Sequence, residues 1–380
     1  LAYLIESRGI DTVLITGSTI GYQVLPFLKA ATQNVAFIDM CHVEEPHWCN
    51  GGHPRFSIGY QDILDLSIVT TKHLNDWMVD RGADSSRIKV MYTGIRTVLE
   101  ENKSIVRKRV RDELNIKDDI PVIVFAGRIC EQKRPLLLAE ILNITKNSGL
   151  PFQALIIGEG EQKDELQVLL NKYQLSHSVN LLGSVPHKEW LDILVASDIL
   201  LMPSQYEGIS IALLEAMAAG VVPIVANVGG QEEIVNKNVG VLIPHSEDEI
   251  QQYSEKIQQL ISSKARLMTM SNECKLLMMD KLSWKMMVTN FISHIDEAHK
   301  LRKNNPRNNI AEGFAKELYI QSMELSRVNV ELDWRWSWGP TNSNPNIPSN
   351  FISYLISTKI GQVMLKSRIL RDTGKKIFKK

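Results

Sequence analysis

The sequence of 380 residues lacks the features that mark several protein classes. A membrane-spanning helix needs about 18 consecutive apolar residues, and no apolar run in this sequence is nearly that long. The four cysteines show no disulfide framework, which predicts a reducing, cytoplasmic environment. The 43 Lys and Arg balance the 43 Asp and Glu, so bulk charge gives no argument for a nucleic-acid partner. No Asp-x-Asp pair occurs to hold a divalent metal, and we expect a function without metal or cofactor.

What is present is an alternation of apolar runs and amphipathic segments between Pro121 and Pro244. This alternation predicts an α/β fold with a doubly wound parallel sheet. Strands are predicted near 122–126, 154–157, 179–182, 199–202, 222–225 and 240–243. Helices are predicted near 134–147, 161–173, 187–196, 210–219, 247–262 and 265–281. Ser246 to Glu249 reads as a capping box that opens the fifth of these helices.

The first hundred residues contain fewer strand signals. Short apolar runs predict strands near 12–16, 34–38, 67–70 and 88–91, and a further helix is predicted near 283–300. With 44% hydrophobic and 23% charged residues, the chain has the composition of a globular protein long enough for two domains.

Two glutamates eight residues apart, Glu207 and Glu215, lie between two apolar runs with the length of buried strands. The order strand, loop, helix, strand places Glu207 just before a helix and Glu215 about two turns along it. Ligands of open parallel sheets bind at the carboxyl ends of the strands, so both acids can reach one crevice. Spacing alone also fits a solvated acid followed by an ordinary helical glutamate.

This segment resembles the donor-site motif of the group 1 family (family 4) of retaining glycosyltransferases, which have the GT-B fold. Four further motifs follow the order that the family shows, at residues 124–135, 156–160, 181–186 and 229–235. The resemblance is specific from about residue 90 to residue 283, and it stops beyond about residue 301.

The resemblance implies two Rossmann-like domains that face a cleft. We expect a partial amino-terminal, acceptor-side domain over residues 1–105 and a nucleotide-sugar-binding domain over 106–283. A cross-over helix over 284–300 and an extra tail over 301–380 would follow. The family's amino-terminal domain begins with further strands and a glycine-rich loop that are not matched here. Since the chain also begins at Leu1 rather than Met, we expect this domain to be truncated.

The resemblance also assigns the residues that would bind the donor diphosphate. Arg128 and Lys133 match the family's diphosphate-binding pair, and Arg can hold phosphate in a bidentate manner. The backbone N–H groups near Gly208, Ile209 and Ser210 open a helix, where an anion can bind without a side chain. A solvated basic loop is the alternative for the two cations.

The remaining donor-site assignments concern the sugar, the ribose and the base. By resemblance, Glu207 contacts the transferred sugar as a catalytic residue, and Glu215 accepts hydrogen bonds from the ribose hydroxyls. Val185 would lie beside the base. Arg134 stands where the family often has Gly, and we expect it at the surface.

His42 follows a predicted strand and matches the family's histidine near the reacting sugar, which implies a catalytic role. A purely structural histidine is one alternative. A zinc site is another, built from Cys41, His42, His47, Cys49 and His53, although the cysteine spacing is unusual for such a site. Next to this group, Glu44 and Glu45 are predicted to be a solvated pair.

The last thirty residues, 351–380, carry eight Lys or Arg against the single acid Asp372. Ile356, Val363, Leu370 and Ile377 recur every seven residues, which predicts a helix with one apolar face. Such a basic amphipathic helix suits an anionic membrane surface, so the chain would be peripheral on the inner face of the membrane. A helix that packs on another part of the protein is the alternative.

The function implied by the resemblance is transfer of a sugar, with retention and without metal. The donor would be a UDP- or GDP-sugar and the acceptor a glycan or a lipid-linked molecule. Two alternatives stay open. One is a nucleotide-sugar epimerase on the same fold, because a fold does not fix a reaction. The other is a non-catalytic nucleotide-sugar-binding or scaffold module.

Overall fold

The computed structural model describes residues 1–304, with the exception of 33, 47, 49, 50 and 97–101. In this part of the chain, two separate parallel sheets are formed, one of four strands and one of six. The extra tail expected over 301–380 lies outside the described residues from residue 305 onwards, and so does its basic segment 351–380. None of the helices in the described part is both long and apolar enough to cross a membrane.

The amino-terminal sheet has the strand order β1-β2-β3-β4, and every pairing is parallel. Its strands are Thr12–Thr16 (β1), Ala36–Cys41 (β2), Leu66–Val69 (β3) and Ile88–Val90 (β4). Its helices are Ala2–Ser7 (α1), Thr19–Ala31 (α2), His53–Tyr60 (α3) and Lys72–Val79 (α4). All four predicted strands are therefore present.

Strand β2 extends three residues beyond its predicted end at residue 38. The polar Asp39 marks the predicted end, but it is fully buried inside the strand. Tyr22 of α2 donates a hydrogen bond to the Asp39 carboxylate at 2.7 Å, which satisfies one of its oxygens. Burial raises the pKa of Asp39 above its ordinary value. The strand continues because the tertiary structure supplies a partner that the local sequence does not show.

The carboxyl-terminal sheet has the strand order β10-β9-β8-β5-β6-β7, again with parallel pairings. Its strands are Val122–Ala126 (β5), Gln153–Ile157 (β6), Val179–Gly183 (β7), Ile199–Met202 (β8), Val222–Ala226 (β9) and Val241–Ile243 (β10). Its helices are Lys103–Glu113 (α5), Pro135–Asn147 (α6), Lys163–Lys172 (α7), His187–Ala196 (α8), Ile211–Ala219 (α9), Glu249–Ile261 (α10) and Lys264–Lys281 (α11). The six predicted strands and six predicted helices are confirmed to within a few residues.

The strand order reverses between β5 and β8. The chain runs from β5 outward to β6 and β7, and then returns to place β8 on the other side of β5. In doubly wound sheets the loops that leave the two strands at such a point diverge and open a crevice. The loops after β5 and β8 carry the predicted residues Arg128, Lys133 and Glu207.

Two predictions about the helix ends of this half are wrong. Asp248, and not Ser246, is the N-cap residue of α10, and the Ser246 hydroxyl donates to the Asp248 carboxylate at 2.7 Å. Glu249 is buried and binds the Arg134 guanidinium, with Nη1 at 3.0 Å from Oε2. Arg134, which was expected at the surface, is therefore partly buried in an ion pair, with its side chain 22% exposed. Its left-handed φ of 51° explains why Gly suits this position, and its side chain joins α6 to α10.

A last helix, Trp284–Asn304 (α12), returns to the amino-terminal sheet. Its apolar face packs against β2 and β3 and completes the small core of that half. The α12 side chains in this core are Met287, Phe291, Ile295, Ala298 and Leu301. The helix predicted near 283–300 is thus present, and it joins the two halves of the described chain.

A buried arginine holds the β5–β8 junction together. Arg111 of α5 is fully buried, and its guanidinium binds the Asp198 carboxylate at 2.9 Å and the backbone oxygens of Ala196 and Ile120 at 3.1 and 2.9 Å. Asp198 precedes β8 and also accepts the N–H of Val122 in β5 at 2.8 Å. One ion pair thus fixes a helix and the starts of two neighbouring strands.

We expect Arg111→Met to lower the free energy of unfolding by about 3 kcal/mol, because a carboxylate and several carbonyl oxygens lose their buried donor. Arg109→Met is the matched control, since Arg109 lies on the same helix with its side chain 48% exposed and pairs with Glu113 and Asp192. That change should cost less than about 1 kcal/mol. Urea unfolding of both variants measures the difference, and equal losses would contradict the assignment.

Candidate functional site

The loops that follow β5 and β8 are joined directly to each other. Gln205 donates its backbone N–H to the Gln132 carbonyl at 2.8 Å, and the Gln132 amide donates to the Tyr206 carbonyl at 3.1 Å. The same Gln132 accepts a hydrogen bond from the exposed Arg128 guanidinium at 2.9 Å. Gln132 therefore orients Arg128 towards the second loop. Sequence reasoning missed Gln132, because nothing local distinguishes it from its polar neighbours.

The strongest contact between these loops is an ion pair between Lys133 and Glu207. The side chains are only 12% and 8% exposed, so both charges are held largely away from solvent. The two residues are 74 positions apart, and the sequence assigned them separately to diphosphate and sugar. The structure brings them into direct contact at the carboxyl edge of the sheet. A lysine ammonium has three donors, so this pairing leaves capacity for a further acceptor.

Gly208, next to Glu207, lies against the amino-terminal half. A Cβ atom at this position would be 2.1 Å from the carbonyl oxygen of His42, so only glycine fits without a backbone shift. Gly230 makes a similar approach, where a Cβ atom would be 2.3 Å from the Thr71 side chain. Close backbone approach, rather than a free amide, is the observed reason for glycine at residue 208.

Helix α9 begins directly after this contact. Ser210 is its N-cap residue, and its side chain makes no capping hydrogen bond. Ile209 is partly buried and packs against the core of the carboxyl-terminal half. Both residues therefore lie at the start of the helix, where the first backbone N–H groups have no partner within the helix.

The His42 ring lies at the end of β2, where its Nε2 atom is 3.0 Å from the Thr16 hydroxyl. Burial, with a smaller effect of His53, lowers the pKa of His42 below its ordinary value. The lowered pKa favours the neutral imidazole, in which one nitrogen donates and the other accepts.

The zinc hypothesis rested on five residues, of which His47 and Cys49 lie outside the described ones. Cys41, His42 and His53, which are described, do not form a metal-binding group with each other or with a carboxylate. Cys41 is buried near the Asp39 carboxylate and the Tyr22 hydroxyl, and burial raises the pKa of its thiol.

The prediction that Glu44 and Glu45 form a solvated pair is wrong for Glu44. Its carboxylate binds His73 Nε2 at 2.7 Å and is largely buried. This hydrogen bond stabilises the imidazolium and is the largest cause of the raised pKa of His73. The reason for the error is that His73 is 29 residues away and only the fold brings it near.

Glu233 joins the two halves at a second point. Its carboxylate accepts the backbone N–H groups of Lys72 and His73, at 2.8 and 2.7 Å, at the N-terminus of α4. The Tyr92 hydroxyl donates to the same carboxylate at 2.7 Å. An acid from the carboxyl-terminal half thus caps a helix of the amino-terminal half. The motif at residues 229–235 signals this region, but it does not reveal the partner.

Glu215, in the second turn of α9, binds residues of α8. One carboxylate oxygen lies 2.7 Å from His187 Nε2, and the other accepts from Trp190 Nε1 at 2.7 Å. Val185 lies in the loop just before α8 and packs against the same core. Neither His187 nor Trp190 was a predicted site residue, because no motif distinguishes them from ordinary helical positions.

The chain is similar to known proteins in part of its sequence and in its fold. Residues 106–276 match the family model described as glycosyl transferases group 1. A galactosyltransferase of Escherichia coli that acts on GlcNAc-diphosphoundecaprenol is 33% identical over 37% of this chain and 36% of its own length. A putative teichuronic acid biosynthesis glycosyltransferase of Bacillus subtilis is 27% identical over 52% and 47%. Among solved structures, Anabaena HepE in complex with UDP and glucose superposes with a TM-score of 0.67, at 17% identity over 78% and 80%.

Residues 106–276 are therefore similar to the group 1 glycosyltransferases, and the described chain has the fold of the GT-B glycosyltransferases. It spans less than half the length of these curated relatives. The Lys133–Glu207 contact, Arg128 and Glu215 all lie inside the segment that matches the family model.

We expect Glu233→Gln to weaken the contact between the two halves. The Glu233 carboxylate accepts three hydrogen bonds with its two oxygens, whereas a glutamine amide has only one accepting oxygen. The free energy of unfolding should fall by about 1–3 kcal/mol, and the amides of Lys72 and His73 should exchange with solvent faster. Glu232→Gln at the exposed neighbouring position is the control and should change stability by less than about 0.5 kcal/mol. Unchanged exchange in the first variant would show that the cap is dispensable.

Proposed function

We propose that the protein is a retaining, metal-independent glycosyltransferase that moves a sugar from a UDP- or GDP-sugar to a glycan or lipid-linked acceptor. The buried contact between Lys133 and Glu207 at the strand-order reversal carries this proposal. It puts a cation suited to a diphosphate beside an acceptor suited to sugar hydroxyls. These are the two groups that a nucleotide sugar joins.

The cations would act on the departing diphosphate. Its negative charge increases as the bond to the sugar breaks, so fixed donors stabilise the transition state more than the bound substrate. Arg128 is exposed and oriented by Gln132, with further N–H groups of its guanidinium available for phosphate oxygens. Lys133 would bind a phosphate oxygen and still donate its hydrogen bond to Glu207, since an ammonium has three donors. The start of α9, at Gly208 to Ser210, would add its helix dipole.

Glu207 would hold the transferred sugar. A carboxylate only accepts hydrogen bonds, and a sugar carries many hydroxyl donors. The ion pair with Lys133 fixes the position of this largely buried carboxylate. The neutral His42, whose backbone touches Gly208, would hydrogen-bond a hydroxyl on the opposite side of the crevice. Val185, in the loop before α8, would lie beside the base.

The acceptor is proposed from the printed activities of the relatives. One relative acts on a diphosphoundecaprenol-linked sugar, and another is assigned to teichuronic acid biosynthesis. Both names support a lipid-linked or cell-surface glycan as the acceptor class. If the acceptor lies in a membrane, the basic segment 351–380 would bind the inner surface of that membrane and bring the protein close to the acceptor.

Two other functions would use the same nucleotide-sugar site: epimerisation of the sugar and binding without turnover. Incubation with a panel of UDP- and GDP-sugars separates them from transfer. Released nucleotide supports transfer or slow donor hydrolysis, an epimeric nucleotide sugar supports the epimerase, and tight binding without any turnover supports the binding module. The intact pair Glu207 and Glu215 favours transfer.

We expect UDP or GDP to bind this chain and Arg128→Ala to weaken the binding about tenfold or more, because a charge-assisted contact contributes about 1.5–3 kcal/mol. Arg266→Ala, at an exposed position on α11, is the matched control and should leave the affinity unchanged. Titration calorimetry gives both values. If the two variants bind alike, Arg128 does not contact the diphosphate.

We expect Glu207→Gln to slow sugar transfer without changing the affinity for the nucleotide. The amide oxygen can still accept from Lys133, so the fold and the affinity for UDP or GDP should change little. Nucleotide release from the sugar donor should fall about 100-fold or more, since the charged acceptor for the sugar is lost. A nucleotide-release assay and calorimetry on the same preparation test this. A parallel loss of nucleotide affinity would show that Glu207 binds the nucleotide instead.

A further inference from the structure

We propose that Trp190 and His187 are positioning residues that hold the Glu215 carboxylate for the ribose hydroxyls of the donor nucleotide. The inference rests on the proposed function, because it needs a nucleotide at this site. It adds two residues of α8 that belong to none of the motifs described above.

Trp190 provides the fixed partner. Its side chain is 6% exposed and packs in the core with Ile193 and Leu194 of the same helix. An indole N–H can only donate, and the packed ring cannot turn it elsewhere. The 2.7 Å hydrogen bond to Glu215 Oε2 therefore locks one carboxylate oxygen in place.

His187 provides the movable partner. It lies three residues before Trp190, so both side chains project from the same face of α8. Its Nε2 atom is 2.7 Å from Glu215 Oε1, and its side chain is 69% exposed. Because an ionised carboxylate accepts but does not donate, His187 Nε2 carries the proton in this contact. The ring can shift on the surface without disturbing the core.

The remaining acceptor capacity of Glu215 fits a vicinal diol. Each carboxylate oxygen has about two acceptor positions, and one of them on each oxygen is already used. One position per oxygen is then left for two neighbouring donors. The 2′- and 3′-hydroxyls of a ribose are such a pair. With both oxygens anchored, less side-chain freedom is lost when the ribose binds.

The experiment compares UDP with 2′,3′-dideoxy-UDP by titration calorimetry, or the guanosine pair if GDP is the nucleotide bound. The wild-type protein should prefer the ribose form by about tenfold or more. Trp190→Phe removes the indole donor and His187→Leu removes the imidazole donor. Each change should weaken the ribose nucleotide several-fold and leave the dideoxy nucleotide within about twofold, so the preference shrinks. His187→Gln, which keeps an N–H donor, should retain most of it.

The result would differ if Trp190 and His187 only held α8 against α9. Both nucleotides would then weaken equally in the variants, and that result overturns the inference. If Trp190→Phe does not fold, the exposed His187 variants decide, and an unchanged preference in His187→Leu overturns the inference as well. Equal wild-type binding of the two nucleotides refutes the inference and leaves the proposed function standing. No binding of either nucleotide, UDP and GDP included, refutes both.

Discussion

The crevice depends on the close approach of Gly208 to the carbonyl oxygen of His42. A side chain at residue 208 would force the two backbones apart, so glycine is needed for this approach between the halves. Glu233 reinforces it by capping α4 from the other half, and α12 completes the amino-terminal core. Each of these contacts crosses between segments that are distant in sequence. The spacing between Glu207 and His42 is consequently a property of the interface between the halves.

Two ion pairs with buried side chains lie at opposite ends of β5 and β8, the strands between which the strand order reverses. Arg111 and Asp198 join α5 to the starts of β5 and β8, while Lys133 and Glu207 join the loops at the other end of the same two strands. An unpaired charge in these positions would be costly, so each partner constrains the other. The first pair supports the scaffold, and the second lies where a substrate would enter.

Secondary structure followed local patterns closely because the parallel strands are short apolar runs and the helices between them are amphipathic. The errors have one cause. Glu44 and Arg134 were predicted to be solvated, but they bind His73 and Glu249. Glu249 was assigned to a local capping box, but it binds Arg134, and the Ser246 hydroxyl donates to Asp248. Asp39 ended a predicted strand for the same reason, since Tyr22 satisfies it inside the sheet. The local sequence pattern does not show whether a polar residue is solvated or paired with a residue that is distant in sequence.

The sequence by itself determined the fold class, the order of the strands along the chain and the segment in which Arg128, Lys133, Glu207 and Glu215 occur. Periodicity and ordered motifs carry that information, because both are local. Only the tertiary structure decided which residues meet: Lys133 with Glu207, the Gly208 backbone with the His42 carbonyl, and Glu215 with His187 and Trp190. Hydrogen bonds and ion pairs act over a few ångströms, and folding chooses which distant residues come within that range.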